Sequence, residues 1–148
     1  VGRDADDDLV AVTAVWGTMS EQRNEARAHL QHAHDFLDGA RANLALGNLR
    51  AAGSDAVLAG IRAKDAMSTA LTGSTRKSDD HRSAVKELST ALGKRPETPA
   101  AERALTELVK FKTPLQYSTQ RIEETRVTGL VRRAESLVEL ADEIVTQG

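Results

Sequence analysis

"AAGSDAVLAGIRAKDAMSTA", residues 51–70, is the stretch that decides the fold. Ala52, Ala56, Ala59, Ala63, Ala66 and Ala70 recur at steps of four, three, four, three and four. That period places them on one face of an α-helix packed along another helix. A side chain that stops at Cβ lets the partner backbone approach closely. Val57, Ile61 and Leu71 add bulk on an adjacent face, and a helix apolar over more than one stripe belongs at the centre of a bundle. Gly73 is placed to end it.

Working outward toward the N-terminus, Ala26, Leu30, Ala33, Leu37, Ala40 and Leu44 repeat the same spacing, and Gly47-Asn48 supplies the turn between the two helices. Thr18 and Glu21 fit a capping box, which predicts a helix start near Thr18 or Ser20. Residues 1–17 then read as an acidic tail and a short apolar arm. Leu9–Trp16 forms either a brief helix capped by Asp8 or an arm that docks elsewhere, and Gly17 ends it. Residues 18–148 form the bundle.

Toward the C-terminus, Ser74–Asp80 is a polar loop with Ser78 as the expected N-cap of a third helix. Ala84, Val85, Leu88, Ala91 and Leu92 are its buried stripe and Gly93 its stop. Thr98-Pro99 reads as N-cap plus first helical position of a fourth helix, which carries Ala101, Ala104, Leu105, Leu108 and Val109 and runs to about Thr113. Pro114 ends or kinks it. A last helix from near Glu123 buries Leu130, Ala134, Leu137, Val138, Ala141, Ile144 and Val145, and its Gly129 costs about 1 kcal/mol relative to alanine. No run alternates as a strand does. The expectation is an all-α, up-and-down antiparallel bundle of about five helices.

Composition agrees. Aromatics make up 3% of the 148 residues, so the core is aliphatic and alanine-rich, which argues against a sandwich or barrel. The formal net charge is −2; Arg3–Asp8 alone contributes −3, leaving +1 elsewhere, so no global pull toward nucleic acid or an anionic membrane follows. The absence of cysteine excludes disulfides and thiolate metal sites. No apolar run approaches the ~20 residues of a membrane span. Leu9–Trp16 is too short, and follows acids, to be a signal peptide, so a cytoplasmic protein is the default expectation.

Candidate chemistry is sparse. His29 and His32 have helical metal-ligand spacing, which zinc would want together with carboxylate or thiolate help, while His34 points elsewhere; surface histidines flanking the Leu30/Ala33 stripe is the reading adopted, and no metal or cofactor is expected. His81 follows Asp79 and Asp80 in the first turn of the third helix, where an aspartate beside the imidazole would fix its tautomer. Arg76, Lys77, His81, Arg82 and Lys86 form a basic corner suited to phosphates or simply to solvent. No Walker motif, GxGxxG or nucleophile elbow occurs.

One stretch breaks the regularity: "KFKTPLQY", residues 110–117. Together with the alanine-rich second helix, "DDHRSAVKEL" and the final "GLVRRAESLVELADEIV", it resembles HEPN domains, helical modules associated with nucleotides and RNA, and is most similar to an actinobacterial subgroup. The resemblance covers residues 34–146. It implies a bundle that dimerises, and in catalytic members an arginine followed, after four to six residues, by a histidine in a metal-independent ribonuclease site. Such members act as toxins beside a nucleotidyltransferase antitoxin or in phage defence. Here the motif's place falls on Lys112 and Tyr117, with four residues between them, or on Lys110 and Tyr117, with six. Lysine keeps the charge but loses the bidentate fork. Tyrosine, with an ordinary pKa near 10, is a poor base at neutral pH. His81 is the candidate replacement imidazole. The resemblance thus implies a homodimeric RNA- or nucleotide-associated binding or regulatory module with a degenerate site at Lys112, Tyr117 and His81, and phosphate contacts from Arg76, Lys77, Arg82, Lys110 and Lys112. Two alternatives stay open: an active endoribonuclease toxin, and a helical adaptor whose Leu9–Trp16 arm grips a protein partner.

Overall fold

A computed structural model describes the backbone of residues 5–75, 81–117 and 119–147, and the side chains of residues 19–75, 82–114 and 119–147. Among these residues there are helices and no strands: α1 (Ala5–Ala45), α2 (Leu49–Thr72), α3 (His81–Leu92), α4 (Thr98–Lys110), the short α5 (Lys112–Tyr117) and α6 (Glu124–Gln147). The all-α bundle expected from the alanine spacing is the observed architecture.

α2 is the central rod. Ala52, Ala56, Ala59, Ala63 and Ala66 are fully buried, as are Ala33 and Ala40 of α1 and Ala134 and Ala141 of α6. Methyl groups meeting methyl groups let three backbones run close together. Gly60 extends the principle toward α4: a Cβ placed there would stand 2.5 Å from Leu108 Cδ1. Bulk comes from outside the seam, from Leu88, Leu105, Leu108, Leu130 and Leu137, each almost wholly buried and each contributing about 1.5–3 kcal/mol of burial.

The α1–α2 hairpin closes over Gly47, whose φ of +77° suits glycine, and Asn48 N–H donates to Asn43 O at 2.8 Å. Gly73 ends α2 as a left-handed cap, its N–H bonded to Thr69 O at 3.0 Å.

Three local expectations differ from the structure. The helix does not stop at Gly17; α1 is continuous for 41 residues. A single interior glycine costs about 1 kcal/mol, whereas propagation keeps one hydrogen bond per residue, and no proline enforces a stop. The Thr18 capping box is therefore not used. Thr98 is not a cap either: Glu97 holds the N-cap position, Pro99 falls in the first turn, and Thr98 Oγ1 is buried without a partner. Finally, α4 ends at Lys110, with Phe111 as its C-cap three residues ahead of Pro114. Pro114 instead sits in the first turn of α5, where its missing N–H breaks no helical bond. Ser78 lies outside the described residues.

Candidate nucleic-acid interface

The break between α4 and α5 turns the chain across the hairpin end of the bundle. Phe111, at the C-cap of α4, is half-buried there. Arg126, in the first turn of α6, lays its guanidinium over the Phe111 ring, 4.1 Å from the centroid. Arg50, from the first turn of α2, reaches the same corner: it donates to Pro114 O at 3.4 Å and Gln120 O at 3.3 Å. These bonds tie the α5 turn and the segment after it to the central helix.

The result is a cleft of about 260 Å³, lined by Phe111, Pro114, Gln120, Arg121, Ile122, Glu123, Arg126 and Leu130. Exposed Lys110 and half-buried Lys112 lie on the adjoining helix ends. Among the described residues, Arg121, Glu123 and Arg126 line the cleft and Arg50, Lys110 and Lys112 adjoin it, a local cationic excess in a chain whose overall charge is slightly negative. A guanidinium plane over an aromatic ring presents an outer face on which a base can stack, and the flanking cations suit phosphates.

Of the sequence-selected residues, Lys110 and Lys112 are at this corner. Arg82 is exposed on α3. Arg76 and Lys77, and the side chains of His81 and Tyr117, lie outside the described residues, as does the pairing of His81 with Tyr117. The sequence reading missed Arg121, Arg126 and Arg50. Arg126 falls in the first turn of the last helix, where the macrodipole disfavours a cation; that misplacement was the available signal.

A second polar cluster was also missed. Lys64, Asp65 and Ser68 are buried inside the bundle on α2. Lys64 Nζ lies 2.5 Å from Asp65 Oδ1, 3.7 Å from Glu87 Oε2 of α3, and donates to Thr75 Oγ1 at 3.2 Å. Thr75 Oγ1 is 2.8 Å from both Asp65 Oδ1 and Glu87 Oε1, and Ser68 Oγ donates to the latter at 3.0 Å. Lys64 and the carboxylates of Asp65 and Glu87, bridged by hydroxyls, pin the start of the α2–α3 connection to the core.

Two histidines on α1, His29 and His34, make contacts between helices. His34 Nε2 meets Asp142 Oδ1 of α6 at 2.7 Å. Arg62 Nη1 donates to His29 Nδ1 at 3.2 Å, so the ring proton sits on Nε2, which is buried without a hydrogen-bond partner, 4.0 Å from Glu25 Oε1. Burial pushes the His29 imidazole below its ordinary pKa; Asp65 opposes the shift and Arg62 reinforces it. Among the described residues no three His, Asp or Glu side chains converge on a metal position, and no helix is long and apolar enough to cross a membrane.

No protein-family model, curated protein or solved structure matches the chain. These comparisons identify no HEPN domain.

Proposed function

We propose that the protein is a HEPN-like RNA- or nucleotide-associated binding module that holds a single-stranded segment in the cleft at the α4–α5–α6 corner. The observation that carries this reading is the Arg126–Phe111 stack with Arg121 beside it in one cleft. A base stacks on the outer face of the Arg126 guanidinium, while Arg121, Lys110 and Lys112 neutralise the phosphates on either side. Each base stacked on such a platform contributes about 1–3 kcal/mol. The cleft volume suits one nucleotide rather than a long duplex footprint. Binding without cleavage follows from Lys112 and Tyr117 standing where the catalytic members carry arginine and histidine.

The test is fluorescence anisotropy with a labelled single-stranded RNA at low salt, with EDTA present and the RNA examined afterwards on a gel. Binding is expected to weaken as salt rises, with a log–log slope of about −2 to −3, corresponding to three or four neutralised phosphates at about −0.7 each. Arg126→Ala should weaken it roughly tenfold, equivalent to about 1.4 kcal/mol, and the RNA should stay intact. No anisotropy change at about 100 µM protein, the weak end of ordinary non-specific binding, would refute the reading. RNA cleavage abolished by Lys112→Ala would replace binding with catalysis.

A further inference from the structure

Several arginines of the bundle are engaged. Arg41 lies 3.7 Å from carboxylate oxygens of Asp38 and Glu135, Arg62 donates to His29, and Arg126 covers Phe111. Arg23 and Arg95 are not. Both are exposed, and neither guanidinium has a hydrogen bond or ion pair with a described residue. Arg23 comes from α1 and Arg95 from the turn between α3 and α4, yet both line one cleft of about 440 Å³ where α2 ends.

The floor of this cleft is apolar. Ala26 of α1 and Ile144 and Val145 of α6 are buried there, and Ala70 and Leu71, near the end of α2, are half-buried. Met19 stands at the edge with 44% of its surface exposed, an unbranched side chain that adapts to what it covers. Along α1 the cleft runs from Met19 to Ala26, or about 10 Å at 1.5 Å per residue. No Asp or Glu is among the described residues that line it. The C-terminal ends of α2 and α6 border the cleft, and such ends are partly negative. At α2 the effect is offset, because Gln22 Nε2 donates to Thr69 O at 3.1 Å and Ala70 O at 3.3 Å. The end of α6, worth about half a charge, is outweighed by two full guanidinium charges.

We propose that this cleft binds a free aliphatic carboxylate, with its head group between Arg23 and Arg95 and its chain along the apolar floor. An apolar floor alone accepts any hydrophobe; two unpaired guanidiniums above it select one that carries an anion at one end. The planar fork of arginine receives a carboxylate through two parallel hydrogen bonds. A zigzag chain with bonds of about 1.5 Å covers a floor of about 10 Å in about eight to ten carbons. The volume falls within the range of about 300–1,000 Å³ usual for small-ligand sites. The described lining has no aromatic ring on which a base could stack, which separates this cleft from the Phe111 corner.

Isothermal titration calorimetry of the full chain with sodium decanoate, kept below its micellar concentration, tests this. A single site is expected, with a Kd of about 100 µM or tighter. Octanoate should bind several-fold more weakly, at up to about fourfold per methylene. Arg23→Gln with Arg95→Gln should weaken decanoate binding by about tenfold or more, with helical circular dichroism and the weaker binding of uncharged decanol unchanged. The chain has two methionines, so in methyl-labelled protein decanoate should shift the NMR signal of Met19 more than that of the fully buried Met67. The chain-length and Met19 readouts use the parent protein and hold even if the double variant fails to fold. No calorimetric or NMR response at about 1 mM decanoate overturns the proposal. So does a folded arginine variant that binds as the parent does, or decanol binding as tightly as decanoate. Acetate or inorganic phosphate binding as tightly as decanoate makes the cleft a plain anion seat, and an acidic amphipathic peptide that displaces decanoate at lower concentration makes it a protein-docking groove; either result also overturns the proposal. The RNA cleft is at the opposite end of α2, so neither result decides the other.

Discussion

Lys64→Met tests the buried cluster most sharply. The lysine side chain is 3% exposed, and Asp65 and Glu87, at 12% and 17%, are its carboxylate neighbours. Methionine fills nearly the same volume, so the change removes charge rather than packing. It leaves two carboxylates facing one another across the Thr75 hydroxyl, whose single proton serves only one of them at a time. Removing one partner of a buried ion pair costs about 3–5 kcal/mol, which for a chain of this size lowers Tm by roughly 6–20 °C. Glu87→Gln behaves differently, because it leaves Lys64 paired with Asp65 and supplies an amide that still accepts from Ser68; its expected cost is about 1 kcal/mol. Urea titrations followed by helical circular dichroism, on both variants and the parent, give the comparison. If Lys64→Met lies within 1 kcal/mol of the parent, or costs no more than Glu87→Gln, the idea that Lys64 balances a buried anionic surplus is wrong.

Gly60→Ala and Gly129→Ala should have opposite signs. At Gly60 the new Cβ meets Leu108 Cδ1 at 2.5 Å inside the core, and overpacking by about 1–3 kcal/mol outweighs the helix propensity gained. At Gly129 the nearest atom is the end of the exposed Arg133 side chain at 3.0 Å, which can swing away, so the denaturation midpoint should rise by the equivalent of up to about 1 kcal/mol. His29 should impose a pH dependence on stability. Its folded pKa lies below the unfolded value of 6.5, so the unfolded chain binds more protons as pH drops through 6.5. Stability is then full above that pH and falls below it; His29→Gln should flatten the profile between pH 5 and 7, measured by urea midpoints.

The seam was legible in the sequence because alanine at alternating steps of four and three has one geometric meaning. Ala52 through Ala66 are buried as that spacing required. The positions of chain breaks were less legible. Gly17 and Pro114 each carry a weak local preference, and tertiary packing with hydrogen-bond propagation set the outcome: a helix through the glycine, and a new turn containing the proline. The polar cluster was invisible for a different reason. Periodicity counts apolar positions, and Lys64, Asp65 and Ser68 sit between seam alanines, where charged residues ordinarily mark a solvated face. Only the proximity of Glu87 and Thr75, brought in from the next helix and its connection, reveals that this face is covered. The α4–α5–α6 corner was half-visible: Lys110 and Lys112 stood out in "KFKTPLQY", but Arg121, Arg126 and Arg50 join them only through the fold.

The alanine row has a bearing on how the chain acquires its shape. Alanine has no side-chain torsion to freeze, so bringing α1 against α2 along Ala33, Ala40, Ala52, Ala56 and Ala59 sacrifices backbone freedom alone. The two segments are also neighbours in the chain, joined through Gly47 and Asn48, so their loop closes at small entropic loss. Their hairpin is therefore the first tertiary unit expected to form, a low-contact-order scaffold on which the leucine-bearing α4 and α6 condense afterwards.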